Sequence, residues 1–358
     1  MSIAYKIITI IVSIIVGLMI SELFLNYYGK YNNLSKQELI LSDAIYEKPK
    51  SSTLKNEHPD LGIIIKNKYD NNGIRNHNYI NTEDKKNIVG IFGDSHVENI
   101  NIRYDLQFTT LLDDFFENKN FVNYGVGGYS IDQIFIRYLS FKEHDIKHVY
   151  YIFSSNDAGS ISNNNLIIFD NKKYKILKPK FRFFEKLLGK LNLTYFFIDI
   201  YYNLRAISYS KHTTVDISNY PKKLAEKLYY KSLSKEHSNP DNSKNLINFN
   251  KILKTFKNEV IKNNSKFSII ILPKKEENEA FKDMVYEQND FNIINLYKIN
   301  ESILINLKQE LIFKNDSHFN EYGNLLIFQF IKKELLKKKY DEFTFEEIIK
   351  KKIDVLYN

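Results

Sequence analysis

The chain has 358 residues, of which 43% are hydrophobic and 15% aromatic, so it is long and apolar enough to bury a core and is not a disordered protein. It contains no cysteine, which excludes disulfides, a thiolate nucleophile and cysteine-based zinc sites. The formal charge is +8, but lysines recur along the whole chain beside acidic residues, which predicts no nucleic-acid partner.

A long apolar run opens the chain, and residues 7–20 are almost uninterruptedly apolar. A helix from about Ile3 to Tyr27 would cross a membrane core of about 30 Å at 1.5 Å rise per residue. A secretory signal segment is the alternative, but no convincing small-x-small cleavage site follows the run. We therefore predict that residues 1–30 contain an uncleaved membrane anchor, with the rest of the chain periplasmic or extracellular.

The next segment, residues 31–84, is polar and aperiodic, with a turn-like Asn71-Asn72-Gly73, and is predicted to be a spacer and a first lobe. A main domain follows over residues 85–345, and residues 346–358 are a C-terminal tail. Within the main domain, residues 160–240 form a long, aromatic-rich insertion. Because an aperiodic loop of that length is improbable, we expect the insertion to be mostly helical, and a lid over the substrate is the alternative.

Apolar runs typical of strands alternate with helical patterns in the main domain. The strands are predicted at Ile88–Phe92, Phe121–Tyr124, His148–Phe153, Phe267–Leu272 and Asn292–Leu296. The helices are predicted at Phe108–Phe116, Ile131–Phe141, Leu246–Val260 and about Glu321–Lys338. Strands separated by helices imply an α/β fold with a parallel sheet covered on both faces.

Polar or glycine-rich clusters follow several predicted strands, where the reactive groups of an open α/β sheet gather. Ser95, in Gly93-Asp94-Ser95, stands at the end of the first strand and is a candidate nucleophile. The second strand is followed by a segment with three glycines in four residues, and the third by Ser154-Ser155-Asn156-Asp157. Asp316-Ser317-His318 precedes the closing helix, and His318 is the only one of the eight histidines beside an aspartate in such a loop.

These clusters, in this order, make the chain resemble the SGNH hydrolase superfamily, also called GDSL esterases. The resemblance implies a three-layer α/β/α fold of the flavodoxin-like kind with a Ser-His-Asp triad. It assigns Ser95 as nucleophile, His318 as base and Asp316 as the residue that orients the base. It also implies an oxyanion hole made by the Ser95 amide, Gly128 and Asn156.

Other positions follow or depart from the superfamily's pattern. Asn72-Gly73-Ile74-Arg75 resembles a motif that often precedes the first block in membrane-anchored bacterial members. The third block has Ser154 where a glycine is usual. The usual aspartate lies three residues before the histidine, where this chain has Asn315, so the orienting residue is either Asp316 or Asn315.

Four residues beside these blocks are candidates to line the pocket, with a surface or supporting position as the alternative for His96: Asp94, His96, Asp157 and Asn315. The other histidines show no metal-ligand spacing, so no metal is predicted. The glycine segment lacks a dinucleotide fingerprint, and no cofactor is expected.

The expected function is a serine esterase that removes acyl groups, such as acetyl, from a carbohydrate or lipid. One alternative is an O-acyltransferase that passes the acyl group to a cell-surface glycan. Another is a non-catalytic surface or assembly protein on the same fold, which the departures at Ser154 and Asp316 favour. The sequence leaves the natural substrate and the oligomeric state open.

Overall fold

The computed structural model describes residues 3–28, 38–40, 45–47, 51–75, 87–154, 157, 166–170, 173–177, 242–273, 291–296 and 311–336. They belong to two compact units: the first comprises Met1–Leu39 and Pro179–Pro240, and the second Ile40–Lys178 and Asp241–Asn358. The predicted C-terminal tail at 346–358 and most of the insertion at 160–240 lie outside the described residues.

The first unit contains helix α1, Ile3–Tyr28, and confirms the predicted apolar helix at the amino end. Its segment Tyr5–Leu25 is 21 residues long and none of it is buried. Among the residues that the structure describes, this is the one helix long and apolar enough to cross a membrane. A membrane anchor and a signal sequence both fit such a helix.

A five-stranded, fully parallel sheet organises the second unit. Its strands are β5 (Asn87–Phe92), β6 (Lys119–Asn123), β7 (Ile146–Phe153), β10 (Lys266–Ile271) and β11 (Asn292–Asn295). They lie in the order β11-β10-β7-β5-β6. Renumbered along the chain this is 2-1-3-4-5, the flavodoxin-like order, and its switch point falls between β5 and β7.

Helices cover both faces of this sheet, as the alternation of strands and helices predicts. They are α2 (Ser95–Glu98), α3 (Phe108–Phe115), α4 (Ile131–Phe141), α5 (Asn242–Lys262) and α6 (Glu321–Leu336), with 3-10 turns at Tyr104–Leu106 and Lys142–His144. Phe135 of α4 and Phe256 of α5 pack in one apolar cluster with Phe92. Leu112 of α3 and Phe330 of α6 pack in the other. The three-layer α/β/α fold is therefore confirmed.

Successive side chains of one strand enter opposite clusters. In β5, Ile88 and Phe92 lie in the cluster of α4 and α5, while Val89 and Ile91 lie in the cluster of α3 and α6. A strand with both faces covered shows a continuous apolar run, because each of its side chains is buried. This explains why all five sheet strands were predicted from the sequence within a few residues of their ends.

Two hairpins differ from the sequence-based expectation. Ser52–Glu57 (β3) and Ile64–Tyr69 (β4) pair antiparallel within the segment interpreted as an aperiodic spacer and lobe. Ile167–Asp170 (β8) and Lys173–Ile176 (β9) also pair antiparallel, so the described part of the insertion is a hairpin and not a helix, while the rest of the mostly helical prediction lies outside the described residues. Two short strands precede them, β1 (Glu38–Ile40) and β2 (Ile45–Glu47).

Candidate active site

The candidate nucleophile lies on a tight turn after β5, next to the switch point of the sheet. Asp94 caps the short helix α2, because its Oδ1 accepts the His96 amide at 2.9 Å and its carbonyl oxygen accepts the amides of Val97 and Glu98. Ser95 is the first residue of that helix and is partly exposed. Asp94 is fully buried, so the structure places it in the cap rather than on the surface of a pocket.

Ser95, His318 and Asp316 form a continuous hydrogen-bonded line. The Ser95 Oγ lies 2.7 Å from His318 Nε2, and His318 Nδ1 lies 2.6 Å from Asp316 Oδ1. Because a carboxylate only accepts, Nδ1 carries the proton and Nε2 is left to accept the serine hydroxyl. This is the geometry that a hydroxyl needs to be activated as a nucleophile.

The Asp316 carboxylate has a partner on each oxygen. Oδ1 faces His318, and Oδ2 accepts the Asn101 side-chain amide at 2.5 Å. Burial alone would raise the pKa of Asp316, but the His318 hydrogen bond and charge, with the backbone amides of His318 and Ser317, bring that pKa below its usual value. The carboxylate therefore stays ionised beside the imidazole.

Asn315, the other candidate for orienting the base, faces away from the histidine. Its amide nitrogen donates to Asp60 Oδ1 at 3.1 Å, and its side-chain Nδ2 donates to the Pro59 carbonyl at 3.3 Å and to Asp60 Oδ1 at 3.2 Å. Asn315 thus joins the loop of His318 to the turn between β3 and β4, and the contact with the histidine is made by Asp316.

The glycine segment after β6 packs directly against α2. A Cβ atom at Gly125 would lie 2.5 Å from the Glu98 amide nitrogen, so only glycine permits this approach. A Cβ at Gly127 would lie 3.5 Å from the Ser95 Cβ, which places the segment beside the candidate nucleophile. Gly128 has φ of +78° and is exposed.

Of the three predicted oxyanion donors, the structure describes Ser95 and Gly128 but not Asn156. The amides of Ser95 and Gly128 donate to no acceptor in the described part of the chain, whereas the Gly127 amide donates to Glu98 Oε2 at 2.6 Å. Asn156 lies outside the described residues. Asp157 is buried, and its Oδ2 accepts the Tyr151 hydroxyl at 2.6 Å and the Ser154 amide at 3.1 Å, so it closes the turn after β7.

His96 packs against His318, the candidate base. It is 8% exposed, and its ring centroid is 5.0 Å from that of His318 and 5.6 Å from that of Phe319. The structure therefore places it against the candidate base as part of the packing. In the described ranges, no group of three His, Asp or Glu side chains is arranged to hold a metal ion.

Several supporting residues were missed from the sequence. Glu98 accepts from Tyr69 and Gly127, and Asn101 donates to Asp316. Arg75 is buried, and its guanidinium donates to the carbonyl oxygens of Glu98, Asn99 and Ile102. Only Arg75 carried a signal, as part of Asn72-Gly73-Ile74-Arg75; the others take their roles from contacts that the folded chain creates.

No protein-family model matches the sequence, and no curated protein matches it. Among solved structures, the chain is similar to a member of the lipolytic G-D-S-L family from Veillonella parvula, at 15% identity and a TM-score of 0.34, with 69% of this chain and 96% of that chain covered. It is similar to a proposed lipolytic G-D-S-L protein from Desulfitobacterium hafniense, at 10% identity and a TM-score of 0.39, with 69% and 99% covered.

A third similar structure is that of a carbohydrate esterase, at 10% identity and a TM-score of 0.34, with 82% of this chain and 90% of that chain covered.

Proposed function

We propose that this protein is a serine esterase that cleaves acyl esters through an acyl-serine intermediate. The observation that carries the proposal is the line from the Ser95 hydroxyl through His318 to the Asp316 carboxylate, at 2.7 and 2.6 Å. The line lies at the carboxyl edge of a parallel sheet, where open α/β folds bind their ligands. This alignment also supports catalysis over a non-catalytic binding protein, since Asp316 contacts the base despite its shifted position.

The proposed reaction begins when Ser95 Oγ attacks the ester carbonyl carbon while His318 Nε2 takes the hydroxyl proton. The oxyanion that forms is held by the amides of Ser95 and Gly128 and, as the resemblance implies, by Asn156. The C–O bond to the alcohol breaks, and the alcohol leaves with the proton from His318. Water, deprotonated by His318, then attacks the acyl-serine and releases the carboxylic acid and free Ser95.

We further propose that the acyl group is small, such as acetyl, and that it is removed from a carbohydrate or lipid. The N-terminal helix α1 supports a membrane-anchored enzyme whose main domain, over residues 85–345, lies in the periplasm or outside the cell. Transfer of the acyl group to a sugar hydroxyl would use the same intermediate, with the sugar in place of water.

The test compares the full chain in detergent with Ser95→Ala, using p-nitrophenyl acetate. Wild-type protein should release p-nitrophenolate and should be labelled at Ser95 by a fluorophosphonate, whereas Ser95→Ala should retain at most about 10⁻³ of the rate. Equal turnover by the two proteins would overturn the proposal. Adding a sugar acceptor and finding an acylated sugar at the expense of free acid would identify a transferase instead.

A further inference from the structure

The buried carboxylate of Glu98 contacts the glycine segment beside the nucleophile. Glu98 is 2% exposed and is the last residue of α2, three positions after Ser95. Its Oε2 accepts the Gly127 amide at 2.6 Å, and its Oε1 accepts the Tyr69 hydroxyl at 2.8 Å. Both carboxylate oxygens therefore have a donor, one from the glycine segment and one from strand β4.

The hydrogen bond to Gly127 fixes the Val126–Gly127 peptide, and the next peptide along the chain carries the Gly128 amide. Since the Gly127 amide is held by Glu98, it is not available to an oxyanion. The next amide, at Gly128, donates to no acceptor in the described part of the chain, and Gly128 is exposed. The positive φ of Gly128 turns the chain at this point. The orientation of the Gly128 amide thus depends on where the carboxylate holds its neighbour.

Side chains before and after α2 hold Glu98 itself in place. The Glu98 carbonyl oxygen accepts Arg75 Nη1 at 2.9 Å and Gln107 Nε2 at 2.7 Å. The Tyr69 hydroxyl holds the Glu98 side chain. Burial and, second to it, the nearby charge of Glu98 raise the pKa of the Tyr69 hydroxyl well above its usual value. The Tyr69 hydroxyl therefore remains a donor at all ordinary pH values.

We propose that Glu98, supported by Tyr69, is a positioning residue that orients the Gly128 amide as an oxyanion donor. The inference rests on the proposed esterase function. Glu98 contacts no reacting atom, and its effect is expected in the transition state, where the charge on the carbonyl oxygen develops. Substrate binding in the ground state should depend on it much less.

The test compares Glu98→Ala with a matched variant, Asp113→Ala. Asp113 Oδ1 also accepts a backbone amide, that of Phe121 at 2.8 Å, but near the beginning of β6, away from the carboxyl edge. With p-nitrophenyl acetate, Glu98→Ala should lower kcat on the order of 10²-fold with KM nearly unchanged, because a donor of the oxyanion hole is misplaced. Asp113→Ala should keep kcat within about twofold.

Inhibition by a boronic acid provides a measurement that a general loss of stability would not change. The tetrahedral adduct of the boronic acid with Ser95 places an oxygen at the oxyanion site. Its inhibition constant should rise by the same factor by which kcat/KM falls in Glu98→Ala. Glu98→Gln should restore much of kcat, since the amide oxygen can still accept from Gly127 while the Tyr69 hydroxyl reverses to accept from the amide group.

The outcomes separate this inference from the proposed function. If Ser95→Ala is inactive but Glu98→Ala matches Asp113→Ala, the inference is wrong and the esterase function stands. If wild type and Ser95→Ala are equal, the function itself fails. If Glu98→Ala does not fold, Tyr69→Phe tests the inference in its place. We expect Tyr69→Phe to lower kcat about tenfold, and an unchanged kcat would contradict the inference.

Discussion

At the scale of single residues, the site depends on which oxygen or nitrogen each side chain presents. The sequence predicted Ser95 from its place at the end of a buried strand and His318 from the aspartate beside it in a polar loop. The resemblance to SGNH hydrolases implied the orienting role of Asp316. It left Asp316 and Asn315 as alternatives, since both lie close before the histidine. The structure separates them, because Asn315 bonds to Asp60 and Asp316 bonds to His318.

Replacing Asp316 tests that distinction. In Asp316→Asn the amide no longer accepts the Nδ1 proton reliably and stabilises the imidazolium poorly, so kcat with p-nitrophenyl acetate should fall on the order of 10³- to 10⁴-fold. Asn315→Ala is the matched control and should stay within about twofold of wild type. The interpretation of Asp316 would be wrong if the two variants lost activity equally.

Other supporting residues could not be predicted for a physical reason. Glu98 and Asn101 have no apolar pattern or motif around them, and their partners lie 29 and 215 residues further along the chain. Such hydrogen bonds arise only when the sheet brings distant segments together. A single sequence without the fold therefore gives the candidate reacting groups but not the residues that hold them.

At the scale of elements, apolar periodicity predicted what lies in the central sheet and failed at the hairpin of β3 and β4. In β4 inward positions alternate with exposed ones, but one inward position is Asn67, which breaks the apolar pattern. The nitrogen of the Asn67 side chain is nevertheless bonded, because Nδ2 donates to Asn56 Oδ1 at 2.8 Å and to the Ile100 carbonyl at 3.0 Å, whereas Oδ1 accepts no hydrogen bond in the described part of the chain. A buried polar residue thus hid from the sequence pattern a strand that contacts the segment after Ser95.

The turn of the same hairpin holds the loop of the base. Asp60 accepts the amides of Lys314 and Asn315 at 3.0 and 3.1 Å. Asp60→Ala should remove these acceptors, so amide hydrogen exchange across residues 313–319 should become faster. We also expect kcat to fall several-fold, roughly as the loss of charge-assisted hydrogen bonds predicts.

A surface aspartate provides the control for that experiment. Asp105 pairs with the Arg103 side chain and is about half exposed. Asp105→Ala should leave both exchange in this loop and kcat unchanged, because exposed ion pairs contribute little. Unchanged exchange in Asp60→Ala would show that the turn does not hold the loop.

At the scale of the whole second unit, His148 on β7 should make stability depend on pH. Burial, and then the positive charges of Lys266 and Lys119, lower the pKa of His148 from 6.5 to about 4. Between these values the unfolded chain binds a proton that the folded chain does not, so the free energy of unfolding decreases as pH falls through this window. The neutral ring stacks on Tyr150 at 4.1 Å and bonds to the Ser268 hydroxyl at 2.8 Å.

Urea unfolding in detergent, followed by circular dichroism, measures this effect. Wild type should lose at most about 2 kcal/mol between pH 6.5 and pH 5 from this one group. His148→Gln does not titrate, so its unfolding free energy should change less over the same range. Parallel pH profiles for the two proteins would contradict the assignment.

The separation of Ser95 from His318 by 223 residues also bears on when the protein becomes active. During synthesis the strand before Ser95 leaves the ribosome long before His318 is made. The hairpin turn at Asp60 is made earlier still, and its partners Lys314 and Asn315 also follow much later. A nascent chain therefore carries a hydroxyl with no base beside it. The site on which the proposed activity depends is therefore assembled only after residue 318 has been synthesised and its loop has docked on the turn at Asp60.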